Sequence, residues 1–420
     1  MHSMFQRPQF SVLQSRLAEL PRFMIVVAGP RQVGKFTMVR DALKSHPSTF
    51  VATDQPIPQE MDPFGESAGM AQVQPIAGAK PGADWIVQQW TQARAKAKAL
   101  PEGQCHVLAI DEIQKIPRWS EVIKGLWDAD RAEGLPLHVV LLGSSPWQMQ
   151  KGLTESLAGR YEPIQMAHWS YGEMQEAFDF SLDEYVYFGG YPGSASLIRN
   201  ESRWRQYVRD SLIRPNIEND ILQMTRVDKP ALLKNLFELG CGAYSGQLIS
   251  FTKLLGQLQD AGNTVTLAHY LDLLSQAGLL TGLQKYAGQE HRQRSSPPKL
   301  NAHNTALISA LGSYSFADAK GDRSYWGRLV ESSVGAHLIN SKPDDCTLFY
   351  WRESPHEVDF VLAKGQKLLA IEVKSGASFA TPKGLSDFTQ KFKNATPLIV
   401  GEGGIELQDF LLRPVTSWFE

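Results

Sequence analysis

An apolar run that passes directly into a glycine-framed turn constrains this chain more than any other feature. Phe23-Met24-Ile25-Val26-Val27-Ala28 leads into Gly29-Pro30-Arg31-Gln32-Val33-Gly34-Lys35-Phe36-Thr37, and a helix-like stretch runs on from Lys35 to Leu43. An unbroken apolar run of this length predicts a strand buried on both faces, as in a parallel sheet. A turn from such a strand into a helix N-terminus aims backbone N–H groups at an anion. Gly29, Gly34 and Lys35 fit the spacing G-x-x-x-x-G-K-[ST] of a phosphate-binding loop. The fold class is therefore α/β, and the expected nucleotide contacts are Gly29, Pro30, Arg31, Gln32, Val33, Gly34, Lys35, Phe36 and Thr37.

Phe36 is the exception within that loop. The pattern places a Ser or Thr hydroxyl there as a Mg²⁺ ligand, and a phenyl ring cannot ligate a metal. Thr37 lies about 100° further round the helix and is no direct replacement. Water can fill the coordination position, because Mg²⁺ usually keeps several waters. ATP binding with slow or partner-dependent hydrolysis is the expectation.

A second motif supports the first. Val107-Leu108-Ala109-Ile110-Asp111-Glu112 is an apolar strand ending in two acids, about 75 residues after the loop. In this Walker B arrangement Asp111 holds Mg²⁺ and Glu112 polarises the attacking water. Val139-Val140-Leu141-Leu142-Gly143-Ser144-Ser145 is another buried strand with hydroxyls at its carboxyl end. Ligands of open α/β sheets sit at such ends, so Ser144 or Ser145 is placed to sense a γ-phosphate, or simply to cap the strand. Arg160 has two readings, a γ-phosphate contact made within one chain or from a neighbour, and a surface ion pair.

Composition sets the class. The 420 residues, 43% hydrophobic and 20% charged, suit a soluble globular protein of several domains. A net charge of −2 requires any nucleic-acid contact to use local basic patches. Cys105, Cys241 and Cys346 show no metal or disulfide spacing, which fits the cytoplasm. No apolar run reaches membrane-spanning length, and the N-terminus carries no signal-peptide core.

Four segments follow along the chain. Residues 1–178 form the nucleotide-binding domain, with a Pro- and Gly-rich loop or insertion from Gln55 to Gly82 and a helix from Trp85 to Leu100. Residues 179–228 form a helical linker around Gly189-Gly190-Tyr191-Pro192-Gly193. Arg199, Arg203, Arg205, Arg209 and Arg214 recur there at roughly helical spacing, as a solvated face or as phosphate contacts. Residues 229–300 read as a winged helix-turn-helix. Its helices span Phe251–Leu258 and Thr266–Ala277, its strand Leu279–Tyr286, and Gly288 to Ser296, with Arg292 and Arg294, forms the wing. Such a unit reads DNA grooves or serves as a spacer. Residues 301–420 form the last domain.

That domain holds the second constellation. Glu357-Val358-Asp359-Phe360-Val361-Leu362 alternates as a strand, and a hairpin at Lys364-Gly365-Gln366 leads to Leu368-Leu369-Ala370-Ile371-Glu372-Val373-Lys374. Residues two apart share a strand face, which sets Glu357 and Asp359 opposite the apolar Val358 and Phe360, and Glu372 and Lys374 opposite Ile371 and Val373. An acid on one strand and Glu-x-Lys on the next resembles the core of the PD-(D/E)xK nucleases. The resemblance implies a Mg²⁺ site of Asp359 and Glu372, with Lys374 activating a water and Glu331 adding an acid from the helix Tyr325–Ile339. A nuclease-like scaffold kept for binding or assembly is the other reading of the same residues.

Taken in order, these motifs resemble the bacterial and archaeal AAA+-like ATP-binding proteins whose C-terminal half is a domain of unknown function with a nuclease-like core. The stretches that carry the resemblance are Gly29–Lys35, Ile110-Asp111-Glu112-Ile113-Gln114-Lys115, Leu142-Gly143-Ser144-Ser145 and Leu157-Ala158-Gly159-Arg160. Gly189–Gly193, Tyr350-Trp351-Arg352 to Asp359-Phe360, and Ile371-Glu372-Val373-Lys374-Ser375-Gly376 complete the set. The resemblance implies an AAA+-type P-loop ATPase core, a helical and winged-helix middle, and a restriction-endonuclease-like end. Its implied cofactors are ATP and Mg²⁺. Its implied partners are DNA or RNA, a protein partner or further copies of the chain, and no membrane. Two departures stand out: Phe36 in place of Ser or Thr, and Leu300-Asn301-Ala302-His303-Asn304-Thr305 where the family carries Tyr-Phe-x-Asp-x-Gly.

Overall fold

The computed structural model describes residues 5–53, 55–61, 81–144, 149, 152–153, 156–222, 227–258, 263–287, 296–374 and 382–419. They divide into two compact units, Met1–Met166 and Ala167–Glu420. The break lies after Met166, ahead of the boundary expected at residue 178.

The first unit opens with helix α1 (Pro8–Leu17) and continues with β1 (Met24–Ala28), α2 (Lys35–Leu43), β2 (Ser48–Ala52) and β3 (Gln55–Met61). It ends with α3 (Ala83–Ala99), β4 (His106–Asp111), α4 (Trp119–Glu133), β5 (Leu137–Gly143) and β6 (Tyr161–Gln165). The six strands lie in the order β3-β2-β4-β5-β1-β6. All neighbours pair in parallel except β2 with β3. Every residue of β1, β2 and β5 is buried, which is why their sequences show no polar alternation. The expectation of a loop from Gln55 fails at its start, because Gln55–Met61 pairs antiparallel with β2. Pro56 and Pro58 are compatible with that strand since it is the edge of the sheet, where a missing N–H breaks no ladder.

On one side of this sheet, α3 and α4 enclose a core rich in tryptophan: Trp90, Trp119 and Trp127. Asp130 sits in it almost fully buried. Its carboxylate accepts from Trp90 Nε1 at 2.6 Å and Arg94 Nε at 2.5 Å. A buried acid is tolerated here because each oxygen has its own donor.

The second unit begins with α5 (Tyr171–Phe178), α6 (Leu182–Phe188) and α7 (Glu201–Tyr207). Ser170-x-x-Glu173 and Ser181-x-x-Glu184 open α5 and α6 as reciprocal capping boxes. Wider π-type turns cover Val208–Ile213 and Asn216–Leu222. Next come α8 (Pro230–Gly242), α9 (Phe251–Gln257), α10 (Thr264–Gln276), β7 (Leu280–Lys285) and β8 (Lys299–Ala302). Then follow α11 (Thr305–Leu311), α12 (Phe316–Gly321), α13 (Arg323–Ser341), β9 (Cys346–Glu353), β10 (His356–Lys364), β11 (Lys367–Lys374), α14 (Lys383–Lys391), β12 (Ala395–Gly401) and α15 (Leu407–Leu412). A six-stranded sheet of order β12-β11-β10-β9-β7-β8 runs through it.

The helices α9 and α10 and the strand β7 lie close to the segments expected as helices and strand. That strand continues into the C-terminal sheet, pairing with β9 through Gln284↔Phe349 and Lys285↔Tyr350. The expected boundary at residue 300 falls inside β8. The wing residues Arg292 and Arg294 lie outside the described residues, as does the turn Ala261-Gly262.

Two sequence motifs of the linker prove to be packing devices. Gly189 has φ +69°, and a Cβ there would sit 2.0 Å from Asn304 Oδ1. That same oxygen accepts from Gly190 N at 3.1 Å and caps α11 through Ala306 N at 3.1 Å. The stretch that departs from the family pattern therefore fastens the glycine turn to α11 through Asn304. The arginine run is not a uniform solvated face either. Arg205 donates to Ser309 O at 2.9 Å and Tyr314 O at 2.8 Å, and to Gly312 O, while Arg209 donates to Ala310 O. Both guanidinium groups satisfy the bare carbonyls at the C-terminus of α11 and complement its dipole. Arg199 and Arg214 stay mostly exposed, in ion pairs with Glu184 and Asp210.

No helix among the described residues is long and apolar enough to cross a membrane. The three cysteines, Cys105, Cys241 and Cys346, are free.

Candidate functional site

The phosphate-binding loop sits where the sequence placed it, between buried β1 and the start of α2. Met166 N donates to Ala28 O at 2.8 Å, which brings the end of β6 beside the loop. A Cβ on Gly29 would lie 2.0 Å from Met166 O, so this position requires glycine. The chain then turns through two left-handed residues, Gln32 at φ +62° and Gly34 at φ +89°. Alternation into positive φ is how successive N–H groups come to line a concavity for an anion. Val33 is fully buried and anchors the turn.

Lys35 is 7% exposed, and its ammonium folds back on its own loop, donating to Gly29 O at 2.9 Å and Pro30 O at 2.7 Å. The charge is thus held at the loop. Arg7, just ahead of α1 and also buried, donates to Val33 O at 3.2 Å. Sequence reasoning missed Arg7, since nothing in an isolated arginine 22 residues upstream of Gly29 marks it as a brace for the loop.

Phe36 turns inward at the first turn of α2. Its ring meets Phe50 of β2 edge-on, with centroids 5.1 Å apart, and the Arg40 guanidinium lies over it at 5.5 Å. Thr37 is exposed. The position that usually supplies a metal-ligating hydroxyl is therefore committed to packing, and its neighbour does not stand in for it. Asp111, the metal ligand expected from the sequence, ends β4.

One strand, β5, lies between β1 and β4. The C-terminal ends of all three open on the same edge of the parallel sheet, which brings Asp111, Glu112 and Ser144 to the edge that carries the loop. Glu112 adopts φ +53°, a strained conformation for a non-glycine residue. Its Oε2 accepts from Gln114 Nε2 at 2.9 Å and Ser144 Oγ at 3.0 Å, with Lys115 Nζ at 3.5 Å. Asp111 Oδ1 accepts from Glu112 N at 2.9 Å, and Thr53 Oγ1 donates to Glu112 O at 3.1 Å. Ser144 is thus tied to the acid expected to polarise water. Ser145 lies outside the described residues.

Arg160 is placed elsewhere. Its backbone O accepts from Met24 N at 2.9 Å, which sets it beside the N-terminal end of β1. The loop leaves the other end of that strand, about 13 Å away at strand rise. Its guanidinium makes a two-pronged pair with Asp128, at 2.7 and 3.0 Å. Of the two sequence readings, the surface ion pair describes this arrangement, and the contact within its own chain is corrected by it.

The shared direction of these strand ends gives the first unit its class, and comparison with known families agrees. Residues 21–175 match the family model of an AAA domain. The N-terminal unit is a P-loop AAA+-like domain. Beyond this AAA+-like domain, two domains of unknown function match at residues 179–318 (DUF8612) and 326–411 (DUF4143). An uncharacterized protein of Mycobacterium tuberculosis is 24% identical over 361 residues, 84% of this chain and 70% of that one. The solved Walker-type ATPase of Pyrococcus abyssi is similar at 15% identity, covering 73% of this chain and 95% of its own, with a TM-score of 0.49. AMPPCP-bound DnaA from Aquifex aeolicus is similar at 11% identity over 64% of this chain and 86% of its own, with a TM-score of 0.30.

In the second unit the strands bring the expected acids close, together with a residue the sequence did not point to. Glu331 on α13, Asp359 on β10 and Lys299 at the start of β8 form one cluster. Lys299 Nζ lies 2.5 Å from Glu331 Oε1 and 3.3 Å from Asp359 Oδ1, and donates to Asp359 O at 3.1 Å. Asp359 Oδ2 accepts from Val373 N on β11 at 2.9 Å. Glu372 Oε1 pairs with Lys374 Nζ at 3.3 Å, and Glu372 Oε2 is buried without a hydrogen-bond partner. Val373, expected in the core, is only half-buried, whereas Ile371 is fully buried.

Burial on its own would lower Lys299, but Asp359 and Glu331 hold its ammonium above the ordinary value. Burial pushes Glu331 up to about 7, reinforced by the charge of Asp359 and opposed by Lys299. Glu372 is pushed up to about 7 by the same two causes, opposed by Lys374. Burial is the larger cause in both. A raised carboxyl value means that the folded state binds the proton more tightly than the unfolded one. The resulting stabilisation is full below the ordinary value of 4.5 and is lost as pH rises through about 7. Glu372→Gln cannot ionise and is expected to flatten this decline by about 1–2 kcal/mol between those limits, after allowing for partial exposure. Urea unfolding at a series of pH values measures it, and an unchanged slope refutes the assignment.

The implied Mg²⁺ does not fit this cluster as folded. Among the described residues, no group of three or more His, Cys, Asp or Glu side chains is placed to hold a metal ion. Asp359 has a donor on each oxygen, one of them the ammonium of Lys299. Lys299 escaped sequence reasoning because a lysine beginning a short strand reads as exposed. Its burial is created by α13 and β10, both distant in the chain.

Proposed function

We propose that this protein binds MgATP at the Gly29–Thr37 loop and hydrolyses it slowly, with Phe36 limiting the metal's coordination, and that the nucleotide state acts on the second unit. The observation that carries this reading is the set of strand ends: the loop after β1, Asp111 and Glu112 after β4, and Ser144 after β5, on one edge of one parallel sheet. Backbone N–H groups and Lys35 hold phosphates. Asp111 holds the metal through water or directly. Glu112, oriented by Ser144 and Gln114, would accept the proton of the water that attacks the γ-phosphorus as ADP leaves. Mg²⁺, when bound, would supply neutralisation of the phosphate charge.

A second reading is favoured by the packing of Phe36 on Phe50: a switch that binds ATP without turnover until a partner acts. A protein partner, another copy of the chain, or DNA or RNA suits that role. The order α9, α10, β7 supports a winged-helix element in the middle segment as the contact.

ATP binding and turnover by the full chain, beside Phe36→Thr, test the proposal. Wild-type binding with slow turnover, raised about tenfold or more by Phe36→Thr, is expected, since one charge-linked ligand is worth about 1.5–3 kcal/mol. Binding with no turnover in either protein supports the switch instead. Absence of ATP binding sinks both.

A further inference from the structure

The acidic cluster of the second unit carries its own cation. We propose that the ammonium of Lys299 takes the place of a divalent ion between Glu331 and Asp359, so that this core, which resembles a nuclease, is built to stand without metal and does not perform metal-dependent phosphodiester cleavage. The inference is independent of what the AAA+-like domain binds.

Three features carry it. First, the ammonium is committed on several sides: Glu331 Oε1 at 2.5 Å, Asp359 Oδ1 at 3.3 Å, Asp359 O at 3.1 Å, and the Phe360 ring at 4.6 Å. Lys299 is 5% exposed, so it is not a surface lysine that swings aside into water. Second, Asp359 is pinned from the other side by Val373 N, which fixes its carboxylate plane against β11. A hard divalent ion needs several oxygens turned to one point, and both oxygens of Asp359 are turned to N–H groups instead. Third, the lysine is tethered. Lys299 is held by the β7–β8 ladder, opposite Leu283, and thus reaches the cluster at a high effective concentration that a free ion must outcompete. An incoming divalent charge would also face a buried positive one that has nowhere to go.

The remaining charges agree. Glu372 pairs with a lysine of its own, Lys374, at 3.3 Å. The second lysine, which would activate water in a metal-dependent nuclease, is thereby used to balance an acid.

The test is Mn²⁺ binding to the full-length protein without nucleotide, by calorimetry and by thermal shift, on wild type, Asp359→Asn, Lys299→Met and the double variant Lys299→Met/Asp359→Asn. The expected result is no wild-type binding tighter than about 1 mM that Asp359→Asn removes. Lys299→Met is expected to gain one Mn²⁺ site that Asp359→Asn removes again, and to be stabilised by Mn²⁺ where wild type is not. Wild-type binding tighter than that limit and lost in Asp359→Asn overturns the proposal. So does a folded Lys299→Met that gains no site. The wild-type comparison with Asp359→Asn decides the matter even where Lys299→Met does not fold.

Discussion

Lys35→Ala is expected to weaken ATP binding by about 10²–10³-fold. Its ammonium is a buried charge held at the loop, and hydrogen bonds from a charged donor are worth about 1.5–3 kcal/mol each. Contacts to two phosphate oxygens would set a gross loss of about 3–6 kcal/mol, from which the Gly29 and Pro30 carbonyl bonds that Lys35 gives up must be subtracted. Calorimetric titration with MgATP measures the loss. Those same bonds brace the nucleotide-free loop, so the variant's melting temperature without nucleotide is needed beside it. A fall in affinity with melting nearly unchanged locates the effect at the phosphates. A change in affinity below threefold would sink the assignment of the loop.

What the sequence made legible follows from range. The strand, loop and helix from Met24 to Leu43, and the acidic strand end at Asp111 and Glu112, are local: each rests on a continuous run whose burial and turn chemistry are fixed by neighbours in sequence. The strands β7, β10 and β11 of the second unit were legible for the same reason, down to the hairpin at Gly365, whereas β8, β9 and β12 were not. What local pattern does not contain is which distant residue fills a shared space. Arg205 and Arg209 look like a solvated face until α11 supplies bare carbonyls. Arg160 looks available to a phosphate until β6 sets it beside the wrong end of β1. Lys299 and Glu331 become partners only through α13 packing on β8. A strand with two prolines, Gln55–Met61, reads as the start of a loop or insertion because proline argues against a central strand and says little about an edge.

Glu112→Gln separates binding from hydrolysis most sharply when made in the Phe36→Thr background. Glutamine keeps the shape of the side chain and a carbonyl oxygen to accept from Ser144 and Gln114, so the local network and the left-handed backbone at residue 112 are retained. What it removes is the capacity to take a proton from water, worth about 10²–10⁴ in rate for a positioned general base. On the proposed reading Phe36 limits the metal in wild type, so the step that Glu112 assists need not be the slowest there, and the expected loss is correspondingly smaller. Restoring the hydroxyl should bring proton transfer into view. The expected pattern is therefore ATP affinity within about threefold of the parent in both backgrounds, and a fall in kcat of about 100-fold or more with Thr at position 36, less with Phe. Equal losses in the two backgrounds would mean that Phe36 and Glu112 act on separate events, and that Phe36 does not hold turnover down through the metal. No loss in either would remove Glu112 from the chemistry and leave its bond to Ser144 as a fastening between the ends of β4 and β5.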